Sequence, residues 1–440
     1  MKNKEIQLTE YSYIFVGDKD EGKDKAVSKT TFEELESFVL KNSSDTVQFL
    51  KIGQNKKHKF IQAQNYVGVI QTKDGTTIEI LPKISQLKDD ENTEDNPKPK
   101  TKEDKAKEIL IKMLKTLKDS PFKHFNMANL KSSKMPLLEI FITMFLEELA
   151  NLVRKGIKSD YITKEENLKF LKGKLKINEQ IKQNYIHKER FFVEFQEFLS
   201  DRVENRLIKT TLQYLYKKSK LNHNQQRIRE FLFVFDDIST CKDVKNDFSK
   251  VKLNRQMKDY EQVLLWCKTF LLENSFSPYK GNDVAFALLF DMNLLFESYV
   301  GDYLKKKGLH VSLQDKTHHL VYENGSGRFR LKPDIVIKDE SELLIADTKW
   351  KILSEDKTND GINQGDMYQL YAYGTKYKEC TKMYLIYPKD NEISSRRFVY
   401  KNENDGLLVL NTLFFDVQNN CFSPCDIKYK LLALINKTFD

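Results

Sequence analysis

Cysteine is scarce in this chain of 440 residues, which contains five cysteines. They are scattered and odd in number, which argues against a disulfide framework. Cys421 and Cys425 lie four residues apart, but no second pair or nearby histidine completes a zinc site. No run of about 18 apolar residues is present, and the N-terminal segment lacks the apolar core of a secretory signal. We therefore expect a cytoplasmic protein without a membrane-spanning helix.

Glycine is also sparse, at 16 residues, and none of them forms the phrase G-x-x-x-x-G-K-S/T. That phrase builds the phosphate-binding loop of many GTPases and ATPases, so we do not expect this chain to bind a nucleotide in that way. No repeat at a fixed period is visible, which argues against a solenoid. A chain of 440 residues exceeds one ordinary core, so two or three domains are expected.

Hydrophobic residues make up 40% of the sequence and charged residues 31%, as in ordinary globular proteins. The formal net charge is +9, which suits a partner with a phosphate backbone. Lysine is abundant along the whole chain, however, and 64 acidic residues offset much of the charge. The charge is compatible with nucleic-acid binding and does not establish it.

The hydrophobic pattern predicts an α+β protein of several domains. Residues 1–160 form a β-rich domain extended by helices, because alternating apolar runs precede helical patterns at 106–117 and 137–157. Asp74-Gly75 between two such runs predicts a hairpin. Residues 86–105 have no apolar periodicity and are predicted to be a linker. Residues 161–280 form a mainly helical middle region, with a boundary near 278–281.

The last region, residues 281–440, alternates helix and strand, which predicts an α/β domain. AFALLFDMNLLFESYVGDYLKKKG is predicted to be one amphipathic helix that ends at Gly308. RFRLKPDIVIKD, ELLIADTKWK and KMYLIYP are predicted strands, and GDMYQLYAYGTKY is a predicted helix between the second and the third.

Two aspartates and a lysine fall on neighbouring predicted strands. Asp334 lies at the start of one strand, Asp347 lies near the end of the next, and a turn at 338–342 makes the two a hairpin. Their carboxylates then meet at one end of the sheet, as hard oxygen ligands suited to Mg²⁺. Lys349 shares a strand face with Asp347, where a lysine can orient the attacking water and stabilise charge on a phosphoryl transition state. A D-x-K at a strand end is also a common structural pattern.

Glu297 and Gln369 lie on the helices that flank these strands. Glu297 would add a third carboxylate, and the alternative is a solvated helix residue. Gln369 would orient Lys349 or a phosphate, and the alternative is an ordinary polar position between core residues.

These phrases resemble the nuclease domain of the McrC family, the nuclease subunit of McrBC-type modification-dependent restriction systems and a branch of the PD-(D/E)xK superfamily. The matching phrases are NLLFESYV, KPDIVI, IADTKWK and GDMYQLYAY, which carry the residues named above and Tyr373. YVGVIQTKDGTTIEILPKI, FLKGKLKINEQI and EFLSDRVENRLIKTTLQYL resemble further family phrases in the same order. The resemblance spans roughly residues 66–390.

The resemblance implies a type IV, or McrBC-like, restriction endonuclease subunit that hydrolyses DNA and acts in defence against foreign DNA. Glu297, Asp334 and Asp347 would bind Mg²⁺ or Mn²⁺, and Asp334, Asp347, Lys349, Glu297 and Gln369 would be catalytic. The partner would be an McrB-like AAA+ GTPase ring that binds GTP and contacts residues 1–160 of this chain. Double-stranded DNA is the substrate, and cutting both strands requires two nuclease domains to pair. The basic stretches 169–176 and 217–220 would touch DNA phosphates or form a solvated face.

Two other functions fit the same sequence. One is a stand-alone PD-(D/E)xK nuclease of restriction or repair, which would cut without GTP or a partner. The other is a non-catalytic assembly factor that only activates the GTPase. The presence of Asp334, Asp347 and Lys349 together argues against the second.

Overall fold

The computed structural model describes residues 5–17, 24–42, 48–55, 58–84, 87, 100–118, 120–123, 135–272, 285–338, 343–377, 379–389, 393–400 and 408–422. Helices and several β-sheets alternate in these ranges, which confirms the α+β prediction. The chain divides into two compact units, residues 1–134 with 275–440 and residues 135–274. No helix in the described ranges is long and apolar enough to cross a membrane.

The first part of the first unit contains β1 (Glu5–Thr9), β2 (Tyr13–Val16), β3 (Lys25–Val27), α1 (Lys29–Asn42), β4 (Leu50–Gln54), β5 (Lys59–Ala63), β6 (Tyr66–Thr72), β7 (Thr77–Leu81) and α2 (Lys102–Leu114). β6 and β7 pair antiparallel, which confirms the hairpin predicted at Asp74-Gly75. Helix α1 was not predicted. Its apolar residues recur at helical spacing, and Phe32, Leu35 and Phe38 are buried against the neighbouring sheet.

The predicted linker 86–105 ends earlier than expected, since α2 begins at Lys102. Thr101 caps this helix: its side chain accepts a hydrogen bond from Asp104 N, and the Asp104 carboxylate accepts one from Thr101 N. Two helix-terminal donors are satisfied in this way, so residues 102–105 are helical despite their charge. Residues 88–99 of the predicted linker lie outside the described residues.

The second unit contains α3 (Leu137–Lys155), β8 (Asp160–Leu168), β9 (Lys174–Leu175), α4 (Ile177–Asn184), β10 (Phe191–Leu199), α5 (Val203–Lys218), α6 (Asn222–Val234), α7 (Val244–Lys250) and α8 (Lys258–Leu271). The helices confirm the helical character predicted for the middle region. A three-stranded sheet in the order β8-β10-β9 was not predicted. β8 carries four charged residues among nine and lacks the alternation by which strands are recognised, whereas β10 (FFVEFQEFL) was overlooked despite its aromatic content.

The remaining part of the first unit contains β11 (Ala285–Asp291), α9 (Met292–Lys306), β12 (Val311–Leu313), β13 (His319–Glu323), β14 (Ser326–Arg330), β15 (Ile335–Lys338), β16 (Leu343–Thr348), α10 (Gln364–Lys376), β17 (Cys380–Pro388), β18 (Arg397–Tyr400), β19 (Leu408–Asp416) and β20 (Cys421–Phe422). The central sheet has the order β12-β15-β16-β17-β19-β18, with β20 added to β19. Its strands β16, β17 and β19 are parallel, and α10 connects the first two as predicted. Residues 423–440 lie outside the described residues.

The single helix predicted over residues 285–308 is wrong in its first third. Residues 285–291 form β11, and helix α9 begins only after Asp291, whose side chain accepts a hydrogen bond from Asn293 N. β11 pairs antiparallel with β6, so it completes a four-stranded sheet in the order β1-β7-β6-β11. An apolar strand and an apolar helix in direct succession give one continuous hydrophobic run, which conceals the boundary.

Gly68 permits the close pairing of β11 with β6. A Cβ atom at this position would lie 2.0 Å from the carbonyl oxygen of Leu288, and the φ angle of +138° is one that residues with side chains rarely adopt. This pairing also groups residues 1–134 with 275–440, whereas the sequence predicted consecutive domains with boundaries at 160 and 280. The predicted boundary at 278–281 itself lies outside the described residues.

Candidate active site

The hairpin β15–β16 brings Asp334 and Asp347 to the same end of the central sheet. Ile335 pairs with Ala346, so each aspartate is the next residue beyond this pair. Thr348, which follows Asp347, donates two hydrogen bonds to Asp334 Oδ2, from its backbone N and from its Oγ1, both 2.8 Å long. Residues 339–342 of the predicted turn lie outside the described residues, but the antiparallel pairing confirms the predicted hairpin. The Asp334 carboxylate is thus held in a fixed orientation beside Asp347.

Asp347 is a buried carboxylate with little compensation. Its side chain is 1% exposed, and of its two oxygens only Oδ2 has a partner in the described ranges. Oδ2 lies 2.8 Å from Lys349 Nζ and forms an ion pair with it. Oδ1 is left without a partner among these residues. Since buried carboxylate oxygens are nearly always paired, Asp347 Oδ1 points to a ligand.

Lys349 lies among three acceptors at the mouth of this site. Besides its ion pair with Asp347, its Nζ is 3.5 Å from Asp366 Oδ1 and 3.3 Å from Gln369 Oε1. Burial alone would lower the pKa of Lys349, but the carboxylates of Asp347, Asp366 and Asp334 outweigh it and raise the pKa above its usual value. Lys349 is therefore a cation that orients and stabilises negative charge.

The three predicted carboxylates have raised pKa values. Burial is the main cause for each, and repulsion from Asp334 adds to it at Asp347 and Glu297, whose pKa values both rise to about 7. The pKa of Asp334 is also raised, although the hydrogen bonds from Thr348 oppose the effect of burial. Such a group of repelling carboxylates is stabilised by a cation.

Glu297 lies on α9, is 7% exposed, and accepts a hydrogen bond of 3.1 Å from Gln314 Nε2. Gln314 also donates from its backbone N to the carbonyl oxygen of Asp334 at 2.8 Å. It has a φ angle of +50°, which is uncommon for a residue with a side chain. Gln314 therefore links the two carboxylate-bearing segments. Sequence reasoning missed it, since a glutamine after a short strand gives no signal.

Helix α10 contributes Gln369 and, one turn earlier, Asp366. Gln369 bridges Lys349 to Tyr373: its Nε2 donates to Tyr373 Oη at 2.6 Å, and Tyr373 Oη donates to the Lys332 carbonyl oxygen at 3.1 Å. The structure thus brings Gln369 to the site, as predicted. Asp366 was missed, although its position three residues before Gln369 on the same helix face was a usable signal.

The carboxylates of this site suit a magnesium ion that takes few ligands from the protein. No group of three or more His, Cys, Asp or Glu side chains in the described ranges forms a complete metal site by itself. Mg²⁺ commonly takes only one or two carboxylates and fills its other positions with water and phosphate oxygens. Asp334 and Asp347, with the unpartnered Oδ1, meet that requirement. Direct ligation by Glu297 stays a prediction, because its Oε2 is bonded to Gln314.

The chain matches the family model described as McrBC 5-methylcytosine restriction system component over residues 61–388, about three quarters of its length. Over 304 residues it is 23% identical to the type IV methyl-directed restriction enzyme EcoKMcrBC of Escherichia coli strain K12, an alignment that covers 62% of this chain and 83% of that protein.

Its fold is similar to that of a chain in a refined half-complex from the tetradecameric assembly of Thermococcus gammatolerans McrB AAA+ hexamers with bound McrC. The TM-score is 0.64 at 17% identity, and the match covers 99% of each chain. At this identity the similarity concerns the fold.

Proposed function

This chain belongs to the family of McrBC 5-methylcytosine restriction system components, and on that premise we propose that it is the McrC-type subunit that cuts DNA. The observation that carries the proposal is the buried Asp347 carboxylate, whose Oδ1 has no partner in the described residues. Asp334 and Lys349 lie directly beside it. Two carboxylates that can hold a divalent metal and a lysine beside them support metal-assisted phosphodiester hydrolysis.

Asp334 and Asp347 would hold Mg²⁺ or Mn²⁺, and Glu297 would be the third carboxylate at the ion. When bound, the ion supplies a polarised water and offsets charge on the phosphate. Lys349, kept as an ammonium group by its acidic neighbours, orients the attacking water and stabilises charge on the phosphoryl oxygens. Gln369 positions Lys349 through their 3.3 Å contact and is itself held by Tyr373. Thr348 fixes Asp334.

The partner in this proposal is an McrB-like AAA+ GTPase ring. One support is that this fold is similar to that of a chain in the assembly of McrB AAA+ hexamers with bound McrC. The other is the absence of a P-loop phrase in this sequence. GTP would be bound by the partner and hydrolysed faster in the complex, with residues 1–160 as the contact region. The proposed substrate is double-stranded DNA, foreign and modified, and two nuclease domains would pair to cut both strands.

Plasmid cleavage tests this proposal. Methylated and unmethylated plasmids are incubated with Mg²⁺ and the chain, alone and with an McrB-like AAA+ GTPase plus GTP. Asp347→Ala and Lys349→Ala are compared with Asp237→Ala, which changes an exposed aspartate of the second unit. We expect cleavage only in the complete mixture, lost in the first two variants and kept in the third. GTP hydrolysis should be stimulated equally by all four proteins.

The two alternatives give other results. Cutting by the chain alone would identify a stand-alone nuclease of restriction or repair. Stimulated GTP hydrolysis with no cutting under any metal would identify a non-catalytic assembly factor. Cutting that survives Asp347→Ala would mean that the nuclease site lies elsewhere.

A further inference from the structure

A cleft of about 480 Å³ opens beside Lys349, and two distant parts of the chain form its walls. One wall comes from the N-terminal sheets and includes Asn65 and Lys83. The other comes from the segment after β16 and includes Lys351 and Lys357. The cleft is therefore continuous with the candidate active site, and the N-terminal region contributes three of its twelve lining residues.

The lining of this cleft is strongly cationic. It contains four lysines and a single carboxylate, that of Asp366, which faces Lys349 at 3.5 Å. Lys83, Lys351 and Lys357 are exposed to solvent, and Asn65, Asn293 and Asn363 add amide groups. Lysines and amides are the side chains that contact phosphate oxygens in nucleic-acid complexes. This composition is suited to a ligand with several phosphates.

A buried carboxylate accepts hydrogen bonds from both walls of the cleft. Glu10 is 1% exposed, and its Oε2 accepts hydrogen bonds from Trp350 Nε1 at 2.9 Å and from Lys83 N at 3.0 Å. Trp350 directly follows Lys349, and its backbone N donates to Asn293 Oδ1 at 3.2 Å. One carboxylate therefore anchors the backbone that carries Lys83 and the residue next to Lys349.

We propose that this cleft binds the phosphates of the DNA strand next to the scissile bond, with Lys83 and Asn65 as contacts from the N-terminal region. The inference rests on the proposed nuclease function and deepens it. It also gives a role to the hairpin of β6 and β7: Asn65 directly precedes β6 and Lys83 follows β7, so the antiparallel pairing places both at the same open end of the hairpin, beside the nuclease site. A DNA strand fits better than a free nucleotide, because the cleft is open to solvent and leads into the carboxylate site.

DNA binding by the full-length chain tests the proposal. Fluorescence anisotropy of a labelled duplex is measured without divalent metal, over a series of salt concentrations. Lys83→Glu is compared with Lys51→Glu, a charge reversal at an exposed lysine of β4 outside the cleft. Lys83→Glu should weaken binding by about tenfold or more and reduce the salt slope by about 1 to 2, as expected for one lost phosphate contact with added repulsion. Lys51→Glu should match the wild type, and Lys83→Arg should restore binding.

Equal binding by Lys83→Glu and Lys51→Glu overturns the proposal, as does a wild-type chain that binds no duplex. If Lys83→Glu unfolds at a lower temperature, Lys357→Glu replaces it, because that exposed side chain lies on the other wall. A titration with labelled GTP distinguishes the other phosphate ligand: saturable binding that is lost in Lys83→Glu, with duplex binding unchanged, assigns the cleft to a nucleotide. Failure of the proposed nuclease function would be seen in a different assay: neither the wild type nor a variant at position 83 would cleave DNA.

Discussion

Two buried carboxylates in different regions of the molecule differ in how many hydrogen-bond partners their surroundings provide. Glu139 on α3 is 4% exposed and accepts hydrogen bonds from Ser219 Oγ, Lys220 N, Leu221 N and Asn224 Nδ2. Asp347 on β16 is 1% exposed; its Oδ2 forms an ion pair with Lys349, and its Oδ1 has no partner in the described residues. Both regions bury a negative charge, but only the helical one provides partners for both carboxylate oxygens.

The comparison separates a structural carboxylate from a functional one. Glu139 serves the start of α6, where the N-cap residue Leu221 has no side-chain oxygen to satisfy the helix-terminal N–H groups. Its charge is therefore used by the fold. Asp347 is instead surrounded by other carboxylates and one lysine, and burial together with repulsion from Asp334 destabilises its charged form. Unsatisfied buried charge of this kind is a signature of a site that awaits a ligand.

The largest effect should come from Asp347→Asn. If Asp347 holds the metal as proposed, loss of its charge should reduce cleavage by about 1,000-fold or more, because a bound metal contributes several kcal/mol to the transition state. Stability should be unchanged or higher, since one of the repelling carboxylates is removed. Plasmid cleavage and urea unfolding measure the two quantities, with Asp237→Asn as control. A large loss of stability would put Asp347 in the same class as Glu139.

Glu139→Gln should have the opposite outcome. The neutral amide presents donors to groups that already donate, so the free energy of unfolding should fall by about 2–3 kcal/mol. Cleavage well below the unfolding temperature should stay at the wild-type level. Glu147→Gln, at a half-buried glutamate of the same helix, is the matched control. If cleavage falls while urea unfolding is unchanged, the assignment of Glu139 as structural is wrong.

Glu10 lies between these extremes, since Oε2 is bonded and Oε1 has no partner in the described residues. Burial raises the pKa of Glu10 from 4.5 to about 7. The folded state therefore binds the proton more tightly than the unfolded state. The stability linked to that proton is full below about pH 4.5 and is lost as the pH rises through about 7.

Glu10→Gln removes this dependence, because the amide oxygen still accepts from Trp350 and Lys83 and carries no charge. Between about pH 5 and about pH 8 the stability of the variant relative to the wild type should rise by about 2–3 kcal/mol, because folding raises the pKa of Glu10 from 4.5 to about 7. Urea unfolding at both pH values measures it, with Glu147→Gln as control. A constant difference between the two pH values would show that Glu10 is not titrating.

The smallest effect should come from Gln369→Ala. It removes one hydrogen bond to Lys349, worth about 0.5–1.5 kcal/mol, so cleavage should slow by roughly 2- to 10-fold. Gln364→Ala, at an exposed glutamine in the first turn of the same helix, should leave the rate unchanged. The loss should appear in kcat, with little change in KM, since Gln369 acts through Lys349. Equal rates for the two variants would remove Gln369 from the site.

Much of the fold near the site was predictable, because period-two and helical patterns there are strong and separated by clear turns. β16, α10 and β17 were expected where they occur, whereas the strand predicted over residues 328–339 is interrupted: its start belongs to β14 in another sheet, and only residues 335–338 form β15. The failures have physical reasons. β11 and α9 form one unbroken apolar run, so the boundary between them gives no signal. β8 is rich in charged residues and lacks the alternation of a typical strand. α1 was overlooked although its apolar residues have helical spacing.

The site divides in the same manner. Asp334, Asp347 and Lys349 follow from strand geometry, which fixes neighbours two residues apart and across a hairpin. Glu297 and Gln369 were placed by the helices and the family resemblance, and both lie at the site. Gln314, Asp366 and Glu10 were missed. Gln314 and Glu10 reach the site from other elements through tertiary packing, which no local pattern encodes.

The pairing of β6 with β11 has a consequence for how the polypeptide is made. The whole second unit is synthesised between these two strands, so β6 leaves the ribosome long before its partner exists. Until then, an apolar strand that ends up fully buried has an open edge, which favours mispairing with other chains. For the same reason we do not expect residues 281–440 to fold as an independent domain. A fragment that begins at this boundary would contain β11 without its partner strand β6.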